Sequence, residues 1–231
     1  MKAARTALRV SARFAWFSVS LAALQLALAG CAGGLHSDTK AAQVYVLRTG
    51  TSPATDAVSG NRASIHVARP LAGPGLDDEH IVLVQPDHRM SYYVASRWPA
   101  PLPEVVESLA LQTLRDSGAW SAVQGSSSSF PADYILQIAI RRFEADYSGR
   151  ADAPQVRVVL DCTVGKRAGR EIIANFVAEG SADAGANRMS EVVSAFEAAS
   201  GKALALVAVR ADEAVRSTTA HEPPPQKAPA Q

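Results

Sequence analysis

The chain has 231 residues, of which 48% are hydrophobic and 19% charged, and its formal net charge is +1. This near-neutral balance argues against a protein held to nucleic acid by phosphate contacts, and two cysteines are too few for a disulfide framework. The length suits one domain with appended segments.

The first thirty residues have the pattern of a secretory signal. Positive charges at Lys2, Arg5, Arg9 and Arg13 precede a mostly apolar run, Phe14–Leu28, and no acidic residue is present. As a helix this run would span about 22 Å, which is short of the roughly 30 Å hydrocarbon core of a bilayer. We therefore predict that residues 1–30 are a removable signal peptide.

The signal ends in Leu28-Ala29-Gly30-Cys31, which resembles the lipobox of bacterial lipoproteins, where the cysteine receives lipid before cleavage. The alternatives are a conventional signal with an unrelated cysteine and a short membrane helix. Acyl chains such as palmitate on Cys31 would anchor the protein. Cys162 would then be a single thiol, which suits an oxidising compartment because it has no partner for an internal disulfide.

The residue after Cys31 is Ala32 and not aspartate, which resembles lipoproteins sorted to the outer membrane. The periplasmic face of the outer membrane is therefore the predicted location, and the inner membrane is the alternative. Residues 31–42 are predicted to be a tether, 43–216 one folded domain, and 217–231 a disordered proline-rich tail.

Alternating apolar residues predict four strands in the first half of the domain. They are expected at Val44–Leu47, Ser64–Ala68, Ile81–Gln85 and Met90–Val94. The Pro86–Arg89 turn would join the last two as a hairpin. Thr49–Asn61 is predicted to be a loop, and Pro70–Gly75 is expected to contain neither helix nor strand because of its prolines and glycines.

The second half predicts a helix, three strands and a helix. The first helix is expected to begin near Pro103 and stop at Gly118. The strands are expected at Tyr134–Arg141, Val156–Val164 and Ile172–Ala178, as an antiparallel meander with one buried face. The last helix, Met189–Val215, carries an apolar stripe with Gly201 as a weak point.

The predicted order ββββ-α-βββ-α favours an α/β or α+β fold, a single sheet of mixed or antiparallel strands with helices packed on it.

The sequence contains no recognisable catalytic or metal motif. The five histidines are scattered without zinc-site spacing, and the serines of Ser126–Ser129 lack a nucleophile elbow. The acidic residues Asp77–Glu79 could hold a cation, but a solvated turn is the simpler interpretation. We expect no cofactor, no metal and no enzymatic activity.

One segment, Met90–Pro99, concentrates three aromatic residues and an arginine in a chain that is only 6% aromatic. Tyr, Trp and Arg are the types enriched at interface hot spots, so Tyr92, Tyr93, Arg97 and Trp98 are candidate partner-binding residues. In the alternative interpretation Tyr93 fills the core and Trp98 caps the following helix. Adjacent tyrosines on a strand point to opposite faces, so one of them faces away from the core.

Together with the lipobox, several short motifs in order resemble the ABC-type transport auxiliary lipoprotein family, which includes lipoprotein partners of mammalian-cell-entry (MCE) domain transport systems of the paraquat-inducible type. The resemblance runs from about Cys31 to Arg216. The motifs are Tyr45-Val46-Leu47, Ile81-Val82, Tyr92-Tyr93, Arg97-Trp98, a proline-flanked helix, and Ala132-Asp133-Tyr134-Ile135-Leu136 continuing to Phe143-Glu144.

The resemblance implies a non-catalytic role in moving lipids or other hydrophobic molecules across the cell envelope. The protein would dock an MCE-domain subunit and its permease and ATPase, through its aromatic strand or strand edge, and could form a homo-oligomeric ring. The alternative is a periplasmic carrier of lipid or another small ligand, which acts without stable docking and holds its ligand between sheet and helices. Neither role involves nucleic acid.

Overall fold

The computed structural model describes residues 41–48, 63–149 and 152–221. The predicted signal peptide, Cys31, the tether up to residue 40, the Thr49–Asn61 loop and the tail from residue 222 onward lie outside these residues.

The structure describes five strands in the first half of the domain. They are β1 (Gln43–Val44), β2 (Ser64–Val67), β3 (Leu71–Ala72), β4 (His80–Val84) and β5 (Met90–Arg97). β4 and β5 form the predicted antiparallel hairpin. The expectation that Pro70–Gly75 contains no strand is wrong, because Leu71 and Ala72 lie between the proline and the glycines and pair with the central strand.

The second half contributes four strands and the sheet is built around one of them, β7 (Tyr134–Asp146). One side of β7 pairs antiparallel with β8 (Gln155–Lys166), which pairs antiparallel with β9 (Glu171–Asp183), so the predicted meander is confirmed. The other side pairs in turn with β2, β3 and β4, each parallel. A short strand that the sequence did not predict, β6 (Ala122–Gln124), pairs with β2.

The first helix confirms the sequence signals at its ends, whereas the last helix runs past its predicted end at Val215. Helix α1 (Leu102–Asp116) has Pro103 in its first turn, and the chain leaves it through Gly118 with φ of 63°, a conformation that favours glycine. Helix α2 (Met189–His221) is continuous through Gly201, so the predicted weak point does not interrupt it. It also continues past the predicted domain boundary at Arg216.

In the described part of the chain the result is a mixed nine-stranded sheet with two helices, the α+β fold that the sequence predicts. α1 packs on β2, α2 packs on β8 and β9, and the helices contact each other. The buried face of β8 consists of the predicted alternate residues. These are Val156, Val158, Leu160, Cys162 and Val164.

The last helix lies unusually close to the sheet at Gly180 of β9. A Cβ atom placed on Gly180 would lie 2.0 Å from the backbone oxygen of Ala199 and 2.9 Å from the backbone nitrogen of Ala203. Two alanines on the helix and a glycine on the strand therefore allow backbone-to-backbone packing. This contact fixes the height of α2 above the sheet.

α2 is also long and apolar enough, by length and composition alone, to cross a membrane. Half of its most apolar window is buried inside the domain. Its apolar stripe, which includes Phe196, Ala203 and Val207, belongs to the hydrophobic core. The packing on the sheet accounts for the composition of the helix.

Candidate functional site

The aromatic segment noted in the sequence forms β5, at one side of the sheet. β4 covers one edge of β5, and on the other edge β1 pairs only with Ser96 and Arg97. Among the described residues, no strand covers the outer edge of β5 from Met90 to Ala95. Backbone N–H and C=O groups on an uncovered edge can pair with a strand from another chain.

A bulge shapes this uncovered edge. Between two of its pairs with β4, the β5 strand inserts the four residues Tyr93–Ser96 opposite a single residue, Ile81. Ala95 within the bulge has a φ of 51°, in the left-handed region, which costs a non-glycine residue about 1 kcal/mol. Val94 next to it is 92% exposed. Bulges and strained residues of this kind are frequent next to functional sites.

Two of the four predicted partner-binding residues are accessible on this strand. Tyr92 is 41% exposed, and its ring centroid lies 4.8 Å from that of His80 on β4. Arg97 is exposed at the end of the strand, and its Nη1 atom lies 2.7 Å from Oε2 of Glu79. Both can contact a partner without any rearrangement of the core.

Tyr93, the third predicted residue, is half-buried and holds the bulge in place. Its hydroxyl lies 2.8 Å from the hydroxyl of Tyr147, which in turn donates to Oδ1 of Asn187 at 2.7 Å. Because the one proton of Tyr147 goes to Asn187, Tyr93 must be the donor in the first bond. Burial raises the pKa of Tyr93, and the hydrogen bond to Tyr147 raises it further.

Trp98, the fourth predicted residue, lies in the core and is 1% exposed. Its ring packs edge-on against Phe196 at 5.2 Å and Phe143 at 6.0 Å, and those two rings stack on each other at 5.2 Å. A side chain enclosed in this way cannot contact a partner directly. The alternative that the sequence left open for Trp98 was a cap on α1. The structure instead places its ring in the core, against β7 and α2.

Sequence reasoning missed two exposed apolar residues on the same strand as Tyr92. They are Met90 and Val94. The period of two along a strand already places Met90, Tyr92 and Val94 on one face, and that signal could have found them. We call Met90–Arg97 the β5 edge.

A pocket of about 830 Å³ lies on the sheet face opposite the helices. Its floor is formed by β2, β7 and β8, through residues such as His66, Ile135 and Thr163. Two loops form its walls, residues 126–130 on one side and 166–172 on the other. We call this feature the basic pocket, because its lining includes Lys166, Arg167 and Arg170 against the single acid Glu171.

Two acidic side chains that are largely buried on β7 are paired with arginines. Glu144 and Asp146, both largely buried on β7, lie 3.8 Å from Arg142 and 3.4 Å from Arg157 respectively. Burial raises the pKa of Glu144, whereas hydrogen bonds from Ser148 and the charge of Arg157 outweigh burial and lower the pKa of Asp146. Within the described ranges, no three His, Cys, Asp or Glu residues are placed to hold a metal ion.

Comparison with known proteins supports the family resemblance. Residues 45–210 match the model of a family described as "ABC-type transport auxiliary lipoprotein component". The chain is similar in fold to a crystal structure of a Xanthomonas campestris protein of the DUF330 family, with 21% identity and a TM-score of 0.67 over 77% of this chain and 99% of that one. A second crystal structure, of an uncharacterized protein, has 13% identity and a TM-score of 0.59 over 74% and 99% of the two chains. No curated protein matches the chain significantly.

Proposed function

The chain belongs to the family of ABC-type transport auxiliary lipoprotein components, and from this membership we propose that it is the membrane-anchored docking subunit of a transport system. The system would be of the MCE type and would move lipids or other hydrophobic molecules across the cell envelope. The protein itself would catalyse no reaction. Its contribution would be to hold the transporter at a membrane.

The proposed anchor is lipid on Cys31, on the periplasmic face of the outer membrane. A tether from Cys31 to Ala42 reaches at most about 40 Å when fully extended. This length allows the folded domain to meet a partner that stands well above the bilayer surface.

The observation that carries the docking proposal is the β5 edge. It combines an uncovered strand with exposed apolar side chains at Met90, Tyr92 and Val94, and Val94 is almost fully exposed. A strand from the partner could pair with the free backbone groups while the apolar side chains are buried beneath it. Arg97, on the same strand, would supply a polar contact at the rim.

The proposal is tested by co-purification of the lipoprotein with the MCE-domain subunit from the same cells. Val94→Asp places a charge in the centre of the β5 edge, and Tyr92→Ala removes its largest exposed ring. Both changes affect exposed atoms, so each should leave the fold intact and reduce the recovered MCE subunit at least about tenfold. Circular dichroism and the urea midpoint report whether the fold is retained.

Val209→Asp is the matched control, because Val209 is also an exposed valine but lies on the outer face of α2. This variant should co-purify with the MCE subunit as the unmodified protein does. Full recovery of the MCE subunit with Val94→Asp would contradict docking through the β5 edge. If the β5 edge instead joins two copies of this chain, the Val94→Asp variant would lose its oligomeric state, as measured by light scattering. It would still bind the transporter.

In the alternative role, as a carrier, the protein is expected to hold its ligand between the sheet and the helices. In the structure this space is occupied by core side chains, among them Leu136, Leu160, Phe196 and Leu204. A carrier would therefore have to hold its ligand elsewhere on the domain.

A further inference from the structure

We propose that the basic pocket binds an anionic amphiphile, a molecule with a phosphate or carboxylate headgroup and an apolar chain. The pocket lies beside the Tyr134 end of β7. The β5 edge lies beside β4, and β4 pairs with β7 at the opposite end of that strand, at Ala145 and Asp146. The ten residues from Ile135 in the pocket to Ala145 beside β4 span about 33 Å of extended strand. The two sites are therefore separate, and this proposal does not depend on docking.

The charge of the pocket selects an anion. Lys166 has Glu171 directly opposite on β9, which offsets its charge. Arg167 and Arg170 follow in the turn between β8 and β9, and neither guanidinium forms an ion pair with any residue that the structure describes. Two guanidinium groups in one depression can bind the oxygens of a phosphate or carboxylate in bidentate fashion, and these hydrogen bonds are stronger than neutral ones.

The same depression also contains apolar surface. Phe130 is 74% exposed and Ile172 is 62% exposed, and they stand on the two opposing walls. Ile135 lies half-buried on the floor between them. Large apolar side chains exposed among polar ones usually mark a contact surface, and here both line one pocket. A hydrocarbon chain laid along the floor would cover all three.

The pocket volume of about 830 Å³ falls within the range of roughly 300–1,000 Å³ that is common for small-molecule sites.

The test is titration calorimetry on the mature chain, made from residue 32 onward without lipid and without any transporter subunit. The probes are myristoyl lysophosphatidylglycerol, kept below its micelle concentration, and glycerol 3-phosphate, which has the phosphate ester without the chain. We expect the lysolipid to bind more tightly than glycerol 3-phosphate. The double variant Arg167→Ala/Arg170→Ala should bind the lysolipid at least about tenfold more weakly.

The matched control is Arg69→Ala/Arg89→Ala, which removes the same two charges at exposed arginines outside the pocket. It should bind the lysolipid as the unmodified chain does. Phe130→Ala should weaken binding of the lysolipid and leave that of glycerol 3-phosphate unchanged.

The proposal is overturned if the lysolipid does not bind, or if both double variants bind it equally. Equal affinity for the lysolipid and glycerol 3-phosphate would also overturn it, because the ligand would then be a free phosphate ester. Since no transporter subunit is present, none of these results bears on the co-purification test of docking.

Discussion

Gly180→Ala tests the close packing of α2 on the sheet. The new methyl carbon would lie 2.0 Å from the backbone oxygen of Ala199, whereas ordinary contact begins at 3.4 Å. The obstructing atoms belong to backbone and not to a flexible side chain, so the helix must move outward by more than 1 Å. A gap of 0.5–1 Å already removes about a quarter to a half of the dispersion energy of the contacts it opens.

Overpacking usually costs about 1–3 kcal/mol, and a displaced helix that carries Phe196 and Leu204 places this case at the upper end. We expect a loss of at least about 3 kcal/mol in the free energy of unfolding, or roughly 6–12 °C in Tm for a domain of this size. Urea unfolding followed by far-ultraviolet circular dichroism measures it directly.

Gly201→Ala is the control, because it makes the same chemical change on the same helix where a Cβ atom meets nothing within 4 Å. Alanine is the better helix former by about 1 kcal/mol, so this variant should be slightly more stable than the original chain. If Gly180→Ala unfolds at the same urea concentration as the unmodified protein, the packing argument is refuted.

Three further predictions concern single side chains. Trp98→Ala should lower the free energy of unfolding in urea by about 3–5 kcal/mol, because it opens the cluster with Phe143 and Phe196. Tyr92→Ala should lower it by less than about 1 kcal/mol. Similar losses for the two variants would mean that Trp98 is not a core residue. Burial raises the pKa of Cys162 to about 12, so a thiol reagent should leave the native protein unmodified at pH 8 and label it in denaturant. Asp133 accepts hydrogen bonds from the backbone N–H and from the hydroxyl of Ser64, and these bonds lower the pKa of the Asp133 carboxyl. The ionised carboxylate therefore stabilises the fold fully above its unfolded pKa of about 4. This stabilisation is lost as the pH falls through the lower pKa of the folded state. The stability difference between the original chain and Asp133→Ala should therefore narrow between pH 6 and pH 3, and a constant difference would count against this pairing.

Long elements with one buried face were predictable from the sequence. β7 and β8 alternate apolar and polar residues over many positions, and α1 has a proline at its start and a glycine after its end. These signals are local, so a single chain displays them. β3 and β6 were not predictable, because two or three residues carry too little pattern and their pairing is decided by the strands beside them.

The candidate sites were predictable only in part, for the same physical reason. Composition identified β5, but the burial of Trp98 depends on Phe143 and Phe196, which are remote in sequence. The basic pocket escaped detection because its floor and walls come from separate segments of the chain. Arg167 and Arg170 lie in one segment, and Ile135 on the floor lies in another.

The parallel pairing of β2, β3 and β4 with one side of β7 bears on the order in which the domain can fold. These strands precede their partner by about 60 to 70 residues, whereas β7, β8, β9 and α2 are neighbours in the chain. In a chain that crosses a membrane from its N-terminus, β2 to β4 arrive before the strand they need. The strands nearest the proposed anchor must therefore wait for β7 before they can join the central sheet, and this end of the domain stays open to chaperones and to proteolysis until β7 has emerged.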